Sequence, residues 1–173
     1  MIILNINGPI NSGKSTVSRL LVNMLPRARF VEVDDLMSDA EEQQLGLSMA
    51  DGWAERLNRL DKIVATEKQA NKYQTIIFAY PMTDGLYRRW HAYNDATTQF
   101  VAVTLSPSLE NCLTNRGTRE LTQWEIGRIR QMYSEGYNRP ANADLIINND
   151  GQTPAQTAKI VADFVRKKHL CQK

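Results

Sequence analysis

Eight residues near the start of the chain constrain its fold more than any other stretch. Residues 8–15 read Gly-Pro-Ile-Asn-Ser-Gly-Lys-Ser and match the pattern G-x-x-x-x-G-K-[ST] of a phosphate-binding loop without gaps. In such a loop Gly8 and Gly13 let the main chain approach an anion closely, while consecutive N–H groups and the start of a helix face the phosphates. The pattern therefore predicts a strand, this loop and a helix, in that order.

The side chains of the loop predict that it binds a nucleoside triphosphate together with Mg²⁺. The residues expected to contact the nucleotide are Gly8, Asn11, Ser12, Gly13, Lys14, Ser15 and Thr16. We expect Lys14 to neutralise the β- and γ-phosphates and the Ser15 hydroxyl to bind the metal. An apolar run precedes the loop and residues 17–24 have helical spacing, which is the context that a chance match would lack.

Short apolar runs alternate with helical segments along the rest of the chain. The runs are Ile2–Ile6, Phe30–Val33, Thr75–Phe78, Phe100–Leu105 and Asp144–Ile147. They are brief and mostly continuous, as is typical of parallel strands covered on both faces. Helical faces are formed by Trp53, Leu57, Leu60 and Val64, by residues within 126–137, and by residues within 160–165. This order predicts an α/β fold, a three-layer sandwich around a five-stranded parallel sheet.

Carboxylates that follow the strands are candidate catalytic or metal-binding residues, because ligands of parallel sheets bind beyond the carboxyl ends of the strands. Asp34 and Asp35 end the second apolar run. We expect Asp34 to accept a proton from an acceptor hydroxyl or to help hold Mg²⁺ beside Ser15. Asp35 is expected to cap the next helix or to support the residues that contact the ligand. The third run ends in Ala79-Tyr80-Pro81, without the carboxylate common at that place. Asp84, slightly later, is expected to cap a helix.

Two arginines beside a glycine predict a mobile cationic segment. Arg116 and Arg119 flank a Gly-Thr pair, and arginine commonly supplies positive charge to the transition state of phosphoryl transfer. We expect both to act from a hinged lid. Arg128 and Arg130, on the following helix, are expected to be solvated or paired with Glu125.

These features together resemble the P-loop kinases of the nucleoside-monophosphate-kinase-like fold, over nearly the whole chain. Residues 115–119 are similar to the lid of phage-type polynucleotide 5′-hydroxyl kinases, whereas residues 30–34 and 52–55 look more like chloramphenicol phosphotransferase. In both families the aspartate that corresponds to Asp34 is the catalytic base, so the resemblance implies this role here. Polynucleotide kinases also carry an arginine soon after that aspartate, but Met37 stands near the matching place.

The leading hypothesis is an ATP-dependent kinase that phosphorylates a hydroxyl of a small molecule. Its expected catalytic residues are Lys14, Asp34, Arg116 and Arg119. A nucleoside or polynucleotide 5′-hydroxyl kinase is the alternative enzyme, although residues 36–55 carry five acidic side chains and no lysine or arginine, which does not favour nucleic acid as acceptor. A non-catalytic ATP-binding regulatory module is the third hypothesis, prompted by the missing carboxylate of the third strand.

Chain length and composition predict one domain over residues 1–173. Residues 36–72 are expected to form a helical segment on the acceptor side, and residues 115–139 a lid with its following helix. The formal net charge of +2 points to no particular partner. No run reaches the ~20 apolar residues of a membrane span, and no signal sequence is evident, so we expect a cytoplasmic protein. Its two cysteines, far apart in sequence, are expected to be free thiols.

Overall fold

The computed structural model describes residues 1–115 and 120–170. Its strands are β1 (Ile2–Asn7), β2 (Ala28–Glu32), β3 (Thr75–Ala79), β4 (Gln99–Leu105) and β5 (Leu145–Ile147). Its helices are α1 (Lys14–Val22), α2 (Asp39–Gln44), α3 (Met49–Ala70), α4 (Asp84–His91), α5 (Leu109–Leu113), α6 (Gln123–Ser134) and α7 (Pro154–Leu170). A 3₁₀ turn spans Asp34–Leu36. No helix within the described ranges has an apolar stretch that would cross a bilayer.

The five strands form one parallel sheet in the order β2-β3-β1-β4-β5. This arrangement confirms the predicted fold class. Each apolar run of the sequence contains or overlaps one of these strands, and every residue of β1 is buried. Because β1 is the central strand, the loop that leaves its carboxyl end lies in the middle of the sheet's ligand-binding edge.

Helices cover both faces of the sheet and make the three layers. On one face α1 and α7 pack against Ile2, Leu4 and Ile6 of the central strand. On the other face α3 and α4 pack in a core that contains Ile3. Side chains of a strand alternate between faces, so a continuous apolar run is needed to supply both cores.

Several helix ends differ from the predicted ones. Thr83, and not Asp84, caps α4, since the Thr83 hydroxyl accepts the N–H of Leu86 at 3.3 Å. Asp84 is the first helical residue, where its charge is still favourable beside the helix N-terminus. Ser38 rather than Asp35 caps the helix that follows the second strand. The capping predictions for both aspartates were wrong, because Ser38, three residues after Asp35, and Thr83, directly before Asp84, occupy the capping positions.

The predicted helical segment of residues 36–72 contains two helices, α2 and α3. Arginines of α3 bind acidic side chains of α2 and so hold the two helices together. Arg56 is only 5% exposed, and its guanidinium donates to Glu42 Oε2 at 2.5 Å. Arg59 donates to Glu41 at 2.6 Å and to Glu55 at 3.1 Å. The negative charge of this segment is therefore largely neutralised within the fold, and it opposes an anionic acceptor less than the sequence alone indicates.

We predict that Leu60→Ala destabilises the fold, because this side chain is fully buried between α3 and the sheet. Loss of the buried methyl groups and the remaining cavity should cost about 2–5 kcal/mol in the free energy of unfolding, measured by urea denaturation. Leu45→Ala is the matched control, since Leu45 is 55% exposed and its truncation should cost less than about 0.5 kcal/mol. Equal losses in the two variants would contradict the assigned core.

Candidate active site

The phosphate-binding loop begins at a turn that only glycine can occupy. Gly8 has a φ of +143°, and a Cβ at this residue would lie 2.5 Å from the Leu105 carbonyl oxygen and 2.7 Å from Ser12 Oγ. Gly13 has a φ of +95° and precedes the first residue of α1. Apart from Gly13 and its chain neighbours, no described atom lies within 4 Å of the place where its Cβ would be. The loop therefore wraps around an open cradle at the helix N-terminus, which suits an anion.

Two side chains of the loop fix its shape. Lys14 Nζ donates to the Pro9 carbonyl at 2.7 Å, so the lysine side chain folds back over the loop. Asn11, with a φ of +63°, donates its amide to the carbonyls of Cys112 at 2.9 Å and Thr114 at 3.0 Å. These bonds tie the loop to the end of α5, just before the segment that contains the predicted lid arginines.

A carboxylate that the sequence analysis missed contacts the loop from the neighbouring part of the sheet. Ser15 Oγ donates to Glu32 Oε1 at 3.1 Å, and Arg19 lies 3.1 Å from Glu32 Oε2. Glu32 is the last residue of β2 and pairs in register with Ala79, the last residue of β3. A carboxylate therefore stands at the same edge of the sheet, on the strand beside the one that ends without it.

The environment of Glu32 is partly desolvated. Burial raises the pKa of the Glu32 carboxyl above its ordinary value, and the nearby Asp34 charge adds to this effect. The hydrogen bond from Ser15 and the charge of Arg19 act in the opposite direction. The sequence contained one signal that could have pointed to Glu32, since it is the single charged residue within the otherwise apolar run 30–33.

A cavity of about 930 Å³ opens in front of the loop and joins two chemically different halves. The loop half is lined by Asn11, Gly13, Lys14, Ser15 and Thr16, with Asn149 and Gln152 from the segment after β5. The far half is lined by Met49, Trp53, Tyr80, Pro81, Leu86 and Tyr137. Glu32 and Asp34 line the same cavity, and Asp34 is exposed at the start of the 3₁₀ turn. Of the predicted loop residues, Gly8 and Ser12 are buried beneath the cradle.

A buried oxygen atom of Asn149, in the loop half of the cavity, indicates one property of the ligand. Asn149 donates its amide to the Ser12 carbonyl at 3.1 Å, while its Oδ1 atom is buried without a hydrogen-bond partner among the described residues. A buried acceptor in this state is unfavourable unless a ligand or water donates to it. The loop half thus has both a cradle for phosphates and an acceptor for a donor group.

The residues present also fit a magnesium ion. Within residues 1–115 and 120–170, no group of three or more His, Cys, Asp or Glu side chains could hold a metal alone. Mg²⁺ in phosphate-transferring sites is usually bound by one or two carboxylates, substrate phosphates and water, so such a cage is not required. Ser15 and Glu32 lie side by side, and Asp34 lines the same space.

The sequence analysis singled out four arginines near the site, and the structure describes two of them. Arg116 and Arg119 lie outside the described residues, so their assignment stays a prediction. Arg128 lines the cavity; it pairs with Glu135 at 2.9 Å and lies over the Tyr137 ring at 5.6 Å. Glu125, expected as the partner of Arg128, instead forms the capping box of α6.

Comparison with known proteins places the fold among kinases. A search of curated proteins finds no match. Among solved structures, the tunicamycin resistance protein of Deinococcus radiodurans is 21% identical with a TM-score of 0.66, covering 94% of each chain. The shikimate kinase of Acinetobacter baumannii, solved with shikimate, is 18% identical with a TM-score of 0.59, covering 96% of this chain and 93% of its own. At these identities both likenesses show the fold alone.

The family is shown by a family model, and one further solved structure agrees with it. The APS kinase of Mycobacterium tuberculosis, solved with AMPPNP and APS, is 25% identical with a TM-score of 0.62, covering 95% of this chain and 96% of its own. Residues 1–148 match the family model described as adenylylsulphate kinase. The resemblance to P-loop kinases is thereby confirmed: the chain belongs to the adenylylsulphate kinase family and is an ATP-dependent kinase.

Proposed function

We propose that the protein transfers the γ-phosphate of Mg²⁺-ATP to a hydroxyl group of a small molecule. The cavity is the observation that carries this proposal, because residues of the phosphate-binding loop, the carboxylates of Glu32 and Asp34, and several aromatic and apolar side chains line one space. We also propose that residues 1–173 form one kinase domain, with residues 36–72 on the acceptor side and residues 115–139 as lid and following helix.

The loop half suits ATP. Lys14 would neutralise the β- and γ-phosphates in the cradle formed by the loop and the N-terminus of α1. The buried Oδ1 of Asn149 can accept a hydrogen bond from a ligand, and adenine carries an amino group where guanine carries a carbonyl. We therefore infer that adenine is preferred over guanine.

Ser15 and Glu32 would bind Mg²⁺. Asp34 would either bind the metal through a water molecule or take the proton of the acceptor hydroxyl. The metal supplies charge neutralisation and orientation for the transferring phosphate. The Ser15–Glu32 contact supports this arrangement, since a carboxylate and a hydroxyl oxygen converge where the phosphates are expected.

Asp34 is our choice for the general base. It is exposed to the cavity, whereas Glu32 is already engaged by Ser15 and Arg19. In the reaction, the acceptor oxygen forms a bond to the γ-phosphorus as the bond from that phosphorus to the bridging oxygen of ADP breaks. The hydroxyl proton passes to the Asp34 carboxylate. Arg116 and Arg119 are proposed to stabilise the negative charge shared between the two oxygens.

A nucleic-acid acceptor is not favoured, because residues 36–55, on the proposed acceptor side, carry no lysine or arginine that would bind a polyanionic backbone. A regulatory module without catalysis was prompted by the missing carboxylate of the third strand. Glu32 weakens that hypothesis, since its carboxylate lies at the same edge of the sheet.

The proposed function predicts acceptor-dependent ATP consumption. We expect ADP release to rise with particular hydroxyl compounds in a panel of sugars, nucleosides, antibiotics and 5′-hydroxyl oligonucleotides, and the product to gain one phosphoryl group by mass spectrometry. A chelator should stop the reaction, and Lys14→Ala should lower it ~10²-fold or more, as expected where catalysis is largely electrostatic. ATP binding without phosphoryl transfer to any acceptor would favour the regulatory module.

Asp34→Asn should separate chemistry from binding. Asparagine nearly matches aspartate in shape but cannot accept the proton, so kcat should fall ~10²–10⁴-fold while the Kd for ATP changes little. Asp35→Asn is the matched control, because Asp35 is the adjacent exposed carboxylate and does not line the cavity. A wild-type rate for Asp34→Asn beside an inactive Asp35→Asn would show that the wrong carboxylate had been chosen.

Glu32→Gln should act through the metal. Removing one charged oxygen ligand should raise the Mg²⁺ concentration needed for half-maximal rate, and high Mg²⁺ should restore part of the rate. The matched control is Glu110→Gln, an exposed glutamate on α5 that does not line the cavity. A uniform loss of rate at every Mg²⁺ concentration would argue against a role in metal binding.

A further inference from the structure

The end of the central strand carries a buried polar side chain that the catalytic steps do not use. Asn7 is the last residue of β1, directly before Gly8 of the phosphate-binding loop, and is 1% exposed. It does not line the cavity. An amide at this depth is unfavourable unless its polar atoms are hydrogen-bonded, so its partners indicate its role.

The oxygen of Asn7 holds the segment that follows the third strand. The Met82 N–H donates to Asn7 Oδ1 at 2.8 Å, and both residues are buried. Because a main-chain N–H can only donate, this contact also fixes which end of the amide is the oxygen. Pro81 has no N–H with which to continue the pairing of β3 to β1, so the Asn7 side chain accepts the next N–H along the chain.

The nitrogen of Asn7 contacts two other parts of the chain. Asn7 Nδ2 donates to Thr104 Oγ1 of β4 at 2.9 Å and lies 3.5 Å from the Tyr137 carbonyl, which follows α6. Since β1 lies between β3 and β4 in the sheet, one side chain at its end can reach neighbours on both sides. Asn7 therefore joins segments that are far apart in sequence.

A second asparagine holds the near end of the segment after β3. Asn5 Nδ2 donates to the Tyr80 carbonyl at 3.1 Å, and the Tyr80 N–H donates to the Ile6 carbonyl at 3.3 Å. Side chains two residues apart on a strand lie on the same face, so Asn5 and Asn7 face this segment together. The far end of the segment, at Met82, is bound by Asn7.

The segments bound by Asn7 form part of the cavity. Tyr80 and Pro81 line it directly before Met82, and Tyr137 lines it from the segment after α6. The phosphate-binding loop begins at the residue after Asn7. The position of these lining residues relative to the phosphates therefore depends on one buried amide.

We propose that Asn7 is a positioning residue for phosphoryl transfer, which fixes residues 80–82 and Tyr137 relative to the phosphate-binding loop. This inference rests on the proposed function, because these residues line the half of the cavity where the acceptor would lie. Transfer requires the acceptor oxygen to stand close to the γ-phosphorus and in line with the bond that breaks, and a displacement of about 1 Å can cost ~10²-fold in rate.

Asn7→Leu is the main test, because leucine has a similar size but neither donates nor accepts a hydrogen bond. We expect the Met82 amide hydrogen to exchange at least about tenfold faster, measured by NMR. For the acceptor, kcat/KM should fall ~10–10²-fold, while the Kd for AMPPNP should change less than about threefold. Asn7→Ser, whose shorter side chain adds no bulk, should act in the same direction and replaces leucine if that variant does not fold.

The acceptor probes are APS, shikimate, thymidine and glucose, and the one that the wild-type protein phosphorylates fastest is used for the kinetics. Thr104→Val is the matched control, since it removes the β4 partner of the same amide and leaves the Met82 bond in place. Its kcat/KM and Met82 exchange should stay within about threefold of wild type.

Asn7→Asp tests rescue by shape and hydrogen bonding. At about pH 5.5 burial should keep this carboxyl protonated, so that it can accept from Met82 and donate to Thr104 as the amide does. Relative to wild type at the same pH, we expect it to retain more of kcat/KM than Asn7→Leu. Equal loss in the two variants would overturn the role assigned to the Met82 bond.

Other outcomes separate this inference from the proposed function. Wild-type Met82 exchange in Asn7→Leu, or equal losses of kcat/KM in Asn7→Leu and Thr104→Val, overturns the positioning role. An AMPPNP affinity that falls as much as kcat/KM also overturns it, since Asn7 would then act on the loop alone. Faster Met82 exchange with unchanged AMPPNP affinity, in a protein that phosphorylates none of the probes or the acceptor panel, would support the placement of these segments by Asn7 and contradict the transfer reaction.

Discussion

The turn at Gly8 fixes the geometry of the whole active-site edge. There the main chain leaves the central strand so close to the Leu105 carbonyl of β4 that a Cβ would lie 2.5 Å from it. The loop is therefore seated on the sheet itself and not on flexible side chains. Since α1 starts directly after this loop, Lys14 and Ser15 have a fixed position relative to the ends of the neighbouring strands.

The position of Glu32 follows from that geometry. Parallel strands in register bring their carboxyl ends to one edge, so Glu32 of β2 and Ala79 of β3 stand opposite each other. A carboxylate absent from one strand can then be supplied by the next, provided that its side chain points to the same space. The Ser15–Glu32 hydrogen bond shows that it does.

The acidic side chains of α2 form ion pairs that stabilise the fold. Glu41 and Glu42 bind Arg59 and Arg56. The two arginines also donate to the main-chain carbonyls of Leu36 and Met37, at the end of the turn that carries Asp34 and directly after it. The acidic character of this segment thus holds α2, α3 and the turn together. Aromatic and apolar side chains, and not these ion pairs, line the far half of the cavity.

The sequence by itself determined the fold class, the strand–loop–helix unit and a nucleoside-triphosphate site, because the spacing of the loop glycines and the continuous apolar runs reflect backbone requirements that are local in the chain. It also singled out Asp34, whose place after a strand predicts proximity to the loop. Only the tertiary structure decided that Glu32 contacts Ser15 and that Trp53 and Tyr80 share one wall. These pairs are separated by many residues, and their contacts depend on strand register and helix packing, which no local pattern encodes.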